Sequence, residues 1–303
     1  MKEKSLTVSA CAKLNLTLDV LGKRRDGYHD LRMVMQSVSL RDTVTLRATE
    51  GDFGLTTNLR YLPGADRNIA AVAARAFAEK TGVSLEGLRI DLDKRIPVCA
   101  GTAGGSSDAA AVLRGLNRWF GTGLTLPELA ALGEEIGSDV PYCVWGTTAL
   151  AEGRGEALTP LDDLPACRIL LCKPDFSVST PELFRQFDAV KLRFHPDTPG
   201  VRAALAAGDL TGVCRRMFNV FEQAMPPQRM GVIDEIKSTM LSYGALGACM
   251  SGTGPTVFGV FAASDGAGAE AARAELAGRY AETFLTHSVT GAQARGEEPL
   301  PEE

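Results

Sequence analysis

Pro97-Val98-Cys99-Ala100-Gly101-Thr102-Ala103-Gly104-Gly105-Ser106-Ser107-Asp108 is the stretch on which the reading of this chain turns. Before it, residues 88–95 alternate, with Leu88, Ile90 and Leu92 set against Arg89, Asp91 and Asp93, as in a half-buried strand. After it, residues 108–120 carry Ala111, Leu113, Leu116 and Trp119 at helical spacing until Gly121. Pro97 ends the strand, so the spacing predicts strand, small-residue loop, helix. Consecutive N–H groups in such a loop, feeding a helix N-terminus, can converge on an anion, and the hydroxyls of Ser106 and Ser107 can add ligands to phosphate or magnesium. A tightly packed turn capped by Ser107 accounts for the same glycines without a ligand. The P-loop pattern GxxxxGK[ST] is absent, and the spacing around Gly104 is not that of a dinucleotide fingerprint.

Outward from the loop, residues 6–20 read as strand, residues 22–29 as an exposed loop and residues 33–46 as extended again. Asn68 precedes an alanine-rich helix over 69–80 that stops at Gly82, and residues 126–136 form another with Pro127 early. Gly137, Ser138 and Asp139 then make a turn, Pro141 a break, and residues 142–158 short strands joined by Gly146 and Gly153. Residues 159–165 suit a domain junction. Beyond it come a strand over 168–173, helices near 181–190, 200–207 and 230–243, a glycine-rich strand pair within 238–264 and a helix over 266–278. Only residues 295–303 have disorder-like composition.

At 303 residues the chain suits two domains, and 45% hydrophobic with 23% charged residues argues against disorder or coiled coil. A net charge of −5 supplies no global basic field for nucleic acid or anionic lipid, so a phosphate site has to be local. The seven cysteines are dispersed with no CxxC pair, and three histidines make no ligand pair; a reducing compartment is expected, and any metal should be oxygen-bound. Lys13 and Asn15 interrupt the first apolar stretch, so no signal peptide is expected, and the uncharged residues 238–264 hold too many glycines for a membrane span. The Asn15-Leu16-Thr17 sequon and the kinase-like Asp52-Phe53-Gly54 lack their contexts and read as coincidences. Taken singly, Lys13 suits a strand end, Asp139 a turn or cap, Tyr28 a half-buried packing position, His29 a solvated one and Phe184 a core position on its helix.

Three separated motifs change that balance. Ala10-Cys11-Ala12-Lys13-Leu14-Asn15-Leu16 with Gly27-Tyr28-His29, the glycine loop, and Ser251-Gly252-Thr253-Gly254-Pro255 together resemble the GHMP kinase superfamily across nearly the whole chain. The first motif with its Gly-Tyr-His separates the chain from the superfamily's sugar, homoserine and mevalonate kinases and is similar to the branch acting on a cytidine-linked methylerythritol. The resemblance implies an α+β fold of two domains: an ATP-binding domain over 1–158 like domain 2 of ribosomal protein S5, and a ferredoxin-like domain over 159–303. It implies ATP-dependent phosphorylation of the 2-hydroxyl of 4-diphosphocytidyl-2-C-methyl-D-erythritol, in non-mevalonate isoprenoid precursor synthesis, with ATP and Mg2+. The partner is then a small-molecule substrate with a cytidine diphosphate moiety, with no nucleic acid or membrane, and the enzyme is a cytoplasmic monomer or homodimer. Rivals are another small-molecule kinase, the related diphosphomevalonate decarboxylase, and a ligand sensor without turnover.

By the same resemblance Lys13 and Asp139 are catalytic, with Gly137-Ser138-Asp139-Val140-Pro141 matching a motif whose aspartate faces the acceptor hydroxyl. Pro97, Ala100, Gly101, Thr102, Ala103, Gly104, Gly105, Ser106 and Ser107 bind ATP phosphate. Tyr28 and Phe184 stack on the base, His29 hydrogen-bonds it, and Asn15 and Thr180 hold substrate oxygens. Metal ligands are not assigned. The chain reads GTAGGSS where the family usually has GLGGGSS. Ala103, replacing a glycine, is expected at negative φ, since a positive value would store strain.

Overall fold

The structure is a computed structural model that describes residues 4–301. Two long strands open it: β1 (Ser5–Lys23) and β2 (His29–Ala48), antiparallel from Ser5 opposite Arg47 to Lys23 opposite His29. In chain order follow β3 (Gly54–Thr57), α1 (Ile69–Thr81), β4 (Leu88–Asp93), α2 (Gly104–Phe120), α3 (Leu126–Ile136), α4 (Val140–Trp145), β5 (Ala149–Gly153) and β6 (Ala157–Pro160). The second half comprises β7 (Cys167–Lys173), α5 (Thr180–Asp188), α6 (Thr198–Ala206), α7 (Leu210–Cys214), β8 (Phe218–Asn219), α8 (Pro227–Ser242), β9 (Gly247–Met250), β10 (Val257–Ala262), α9 (Gly266–Ala277), β11 (Glu282–His287) and α10 (Gly291–Arg295). One sheet runs β3-β4-β2-β1-β8, with β5 also on β2 and β6 beside β5. The other runs β11-β7-β10-β9, which with α8 and α9 as crossovers is the ferredoxin-like order.

Two irregularities in β1 position the chemistry. Its even-numbered residues from Val8 to Val20 are apolar without a break, as though on one face. Register shifts between Cys11 and Lys13 and between Asn15 and Thr17 divide them. Val8, Ala10, Leu18 and Val20 join the core under α1 and α2, while Ala12, Leu14 and Leu16 join a second core with Ile169, Leu171 and Phe258 of the smaller sheet. Between Cys11 and Lys13 the partner strand runs from Arg41 to Ser37, two residues longer than β1, and between Asn15 and Thr17 it runs only from Met35 to Val34, so that β1 carries one extra residue there and the middle segment is out of step with both flanks. Lys13 and Asn15 are thereby turned to the side of the first core.

Local grammar set most boundaries. Asn68 Oδ1 accepts from the N–H of Ala70 at 3.0 Å, and Gly82 closes α1 at φ 74°. Several segments depart from expectation. The helix after the glycine loop starts at Gly104, not Asp108, so the serines lie in its first turn. Residues 140–145 are helical because Pro141 falls in the first turn, where it has no hydrogen bond to lose, and Gly146 terminates at φ 66°. β11 occupies a stretch given no element from sequence, held by pairing to β7. The tail is anchored too: Arg295 Nη1 donates to the Trp145 carbonyl at 2.8 Å, and Leu300 packs on Cys11, Val289 and Ala294. Among the described residues no helix is long and apolar enough to cross a membrane.

Candidate active site

The glycine loop presents an open helix end. Ala103 holds the N-cap position of α2 at φ 57°, ψ 30° and offers no side-chain cap; the first bond back into the helix runs from Ser107 N–H to Ala103 O at 2.9 Å. The N–H groups of Gly104, Gly105 and Ser106 are left for a ligand, at the positive end of a 17-residue helix. Ser107 is not the cap: its Oγ donates to the Cys11 carbonyl at 2.7 Å, hanging the first turn from β1. The negative φ expected at Ala103 is also overturned, because this residue and Cys99, at φ 53°, make the reversals that carry the loop into the helix.

The loop is braced from two sides. The Lys13 N–H donates to the Thr102 carbonyl at 3.1 Å, and on the other side Ser251 Oγ donates to Gly101 O at 3.0 Å. A Cβ at Gly101, φ 79°, would stand 2.1 Å from the Ser251 carbonyl oxygen, so the second and third motifs meet only because this residue has no side chain. Pro97, Ala100, Gly101, Ala103, Gly104, Gly105 and Ser106 line a cleft of about 750 Å³. Thr102 and Ser107, expected among the phosphate ligands, turn their side chains inward and are buried.

Lys13 is buried on the wall of this cleft. Its Nζ donates to Asn15 Oδ1 at 2.8 Å and stands 3.7 Å from Asp139 Oδ2. Asp139 occupies the N-cap position of α4 yet makes no side-chain cap bond, so its carboxylate faces the cleft instead of its own helix. Asn15 is fully buried behind Lys13 and does not line the cleft; its amide holds the ammonium and its Nδ2 donates to Met33 Sδ at 3.2 Å.

A buried charge cluster under the loop escaped the sequence reading. Lys94 Nζ pairs with Asp42 Oδ2 and lies 2.5 Å from Asp108 Oδ2. Asp42 Oδ1 also accepts the N–H groups of Arg95 at 2.5 Å and Ile96 at 2.8 Å, while Asp108 Oδ1 is buried with no partner. Burial pushes the Asp108 carboxyl up to about 8, with Lys94 opposing the shift and the Asp42 charge adding to it. Burial alone would pull Lys94 down, but the two carboxylates hold it above the ordinary lysine value. The available signal was three charges within or beside apolar segments, with nothing in the sequence to say that they meet.

A second cleft of about 680 Å³ adjoins the first and holds Tyr28, His29, Thr180 and Phe184. His29, which the resemblance places on the base, is buried: its ring stacks on Phe184 at 4.7 Å and 26°, and its Nε2 meets Asp188 Oδ1 at 2.7 Å. Hydrogen bonds from Lys23 and then His29 hold the Asp188 carboxyl below the usual range. Phe184 packs its edge on Phe221 at 4.9 Å. Tyr28 is 59% exposed, with the Arg154 guanidinium 5.5 Å from its ring centre. Thr180 Oγ1 is hydrogen-bonded to Thr253 Oγ1 at 3.0 Å, which ties α5 to the third motif.

The chain matches the GHMP kinases N terminal domain over residues 68–147 and the GHMP kinases C terminal domain over residues 201–282. It is 46% identical over 259 residues to a protein of Lachnospira eligens named 4-diphosphocytidyl-2-C-methyl-D-erythritol kinase, covering 85% of this chain and 89% of that one. The chain belongs to this GHMP kinase family. A family member of the same name from Alkaliphilus metalliredigens is 43% identical over 286 residues, 94% of this chain and 97% of that one. A crystal structure of 4-(cytidine 5'-diphospho)-2C-methyl-D-erythritol kinase superposes with TM-score 0.77 at 32% identity, covering 93% and 99% of the two chains. Homoserine kinase from Cytophaga hutchinsonii, at 19% identity and TM-score 0.71 over 96% of each chain, shares the fold. The α+β fold read from the motifs is thus that of the GHMP kinases, which use ATP as phosphoryl donor.

Proposed function

We propose that this chain transfers the γ-phosphoryl group of ATP to the 2-hydroxyl of 4-diphosphocytidyl-2-C-methyl-D-erythritol. The observation that carries the reading is the continuity of the two clefts: Lys13 and Asp139 stand in the first, Tyr28 and His29 in the second, and Thr180 and Phe184 line both. One molecule with a polyol at one end and a cytosine at the other can span them.

In this reading residues 1–158 form the ATP-binding domain and residues 159–303 the C-terminal domain. The free N–H groups of Gly104, Gly105 and Ser106 receive the phosphates, with Pro97, Ala100, Gly101 and Ala103 shaping the approach. Asp139 orients the 2-hydroxyl and accepts its proton as the bond from that oxygen to the γ-phosphorus forms; the bond to the β,γ-bridging oxygen breaks and ADP leaves with the electron pair. Lys13, fixed by Asn15, places positive charge beside the developing negative charge. Tyr28 and Phe184 contact the base and His29 hydrogen-bonds it, with Thr180 on the polyol side.

Magnesium bound with ATP supplies charge neutralisation at the phosphate oxygens. The residues fit it: the Ser106 hydroxyl and the unpartnered Asp108 Oδ1 are hard oxygen donors in residues that line the phosphate cleft. Among the described residues no group of three or more His, Cys, Asp or Glu could hold a metal, so most of its ligands would be phosphate and water. A cytoplasmic setting, with the small molecule as the partner and a monomer or homodimer as the working unit, completes the reading.

The test is coupled ADP release with 4-diphosphocytidyl-2-C-methyl-D-erythritol beside mevalonate, homoserine and galactose. The cytidine-linked alcohol should give the highest kcat/KM. A higher value with any of the other three would overturn the assignment.

A further inference from the structure

The two clefts share Leu31, Ser138, Arg154, Thr180, Pro181 and Phe184. A ligand with its base in the second cleft and its reacting hydroxyl beside Asp139 has to lay its middle across these residues. In the substrate proposed above that middle is a diphosphate, whose oxygens call for charged donors, best met by the planar fork of a guanidinium. Arg154 is the only charged residue of the six. Lys13, Arg67 and Lys94 line the first cleft alone, and Lys23 and Arg185 the second alone. We infer that Arg154 binds the diphosphate bridge of the nucleotide-linked acceptor, exchanging its present partner Glu134 for it; the inference rests on the function proposed above.

The backbone at Arg154 is fixed between the two ends of the site. It is at the tip of the β5–β6 hairpin, where Gly153 lies opposite Leu31, two residues from His29. Gly155 follows at φ 121°, so close to the turn carrying Asp139 that an added Cβ would come within 3.7 Å of the Ser138 carbonyl oxygen. The Arg154 N–H donates to Glu156 Oε2 at 2.6 Å, which braces the tip.

Its side chain, in contrast, is loosely committed. Nη2 donates to Glu134 Oε1 at 3.2 Å, and the two side chains are 34% and 44% exposed, a setting in which an ion pair contributes little and is readily exchanged. The face of Tyr28 steers the guanidinium without occupying its N–H groups. Glu134 and Glu135 also line the second cleft. Arg154 is the cation of that cleft paired with one of them, Glu134.

The experiment is calorimetric titration of cytidine, CMP and CDP, with the ATP site saturated by ADP, together with ADP-release kinetics, on wild type, Arg154→Leu, Arg154→Lys and Glu134→Gln. Arg154→Leu should lose about 10–100-fold in CDP affinity, the worth of hydrogen bonds to a charged group, with cytidine affinity little changed. Substrate KM should rise with it while KM for ATP holds. Arg154→Lys should fall between, and Glu134→Gln, which releases the guanidinium, should bind CDP more tightly. CDP binding by Arg154→Leu equal to wild type overturns the inference, as does an equal loss for cytidine and CDP, which would mark a packing role on Tyr28. Failure of the wild type to turn over the cytidine-linked substrate would sink the proposed function itself. Turnover by wild type with an unaffected Arg154→Leu would sink only the role of Arg154.

Discussion

The N–H of Lys13 donates to the carbonyl of Thr102 at 3.1 Å, so the strand carrying the ammonium group and the loop expected to carry the phosphates are a single hydrogen-bonded unit. Ser107, bonded to the Cys11 carbonyl, adds a second tie to the same strand. These two bonds fix the backbone of Lys13 against the loop, and the bond from Nζ to Asn15 Oδ1 fixes the ammonium, an arrangement that places positive charge without a reorganisation penalty.

Asp139→Asn and Lys13→Ala should each lower kcat by about 10²–10⁴, the usual contribution of a positioned general base or of a charge at the reacting centre, with a much smaller change in KM for ATP. Steady-state ADP release reads both constants, and circular dichroism checks the fold. Near wild-type turnover in either variant would remove that residue from the catalytic assignment.

Two loop substitutions, either side of Thr102, should act in opposite directions. Gly101→Ala places a Cβ on the Ser251 carbonyl oxygen at positive φ, and should lower stability by about 3 kcal/mol, combining left-handed strain with overpacking. Ala103→Gly relieves left-handed strain at φ 57°, partly offset by a freer unfolded chain, and should raise stability by about 0.5–1 kcal/mol. Differential scanning calorimetry decides. A fall in Tm for Ala103→Gly would mean that Ala103 does not hold the left-handed conformation in solution.

Phe184→Ala removes both the stack on His29 and the edge contact with Phe221, so it should weaken binding of the cytidine-linked substrate by about 1–3 kcal/mol and also reduce Tm. Tyr28→Ala, at an exposed ring, should weaken the same binding with little effect on Tm. Calorimetric titration of substrate and ATP separates the two ends of the site. A loss confined to ATP would contradict the layout.

The raised Asp108 carboxyl makes stability depend on pH in a stated direction. Its ordinary value of 3.8 is pushed up to about 8 in the fold, so between these limits the native state holds the proton more tightly than the unfolded chain, and rising pH removes stability. Asp108→Asn has no such proton. Relative to wild type, the variant should gain stability steadily from pH 5 to pH 8, as read by urea unfolding without nucleotide or magnesium. A gap that is flat over this range, or that moves the other way, would show that the carboxyl titrates near its ordinary value.

The sequence by itself determined whatever local chemistry decides. The ends of α1 follow from Asn68 and Gly82, those of α3 from Thr125, Glu128 and Gly137, and the strand, loop, helix order around Gly101 from hydrophobic spacing alone, because caps and periodicity act within a few residues. The motifs that carry the family likeness were equally legible as text. Only the tertiary structure decided which side of β1 Lys13 and Asn15 face. The apolar alternation from Val8 to Val20 is uninterrupted, and the two register shifts against β2 that set its middle apart fall where the strand passes between two different cores. The meeting of Asp42, Lys94 and Asp108 and the approach of Gly101 to Ser251 have the same origin. Each joins segments distant in the chain, and their free energy comes from burial and pairing that no single segment encodes.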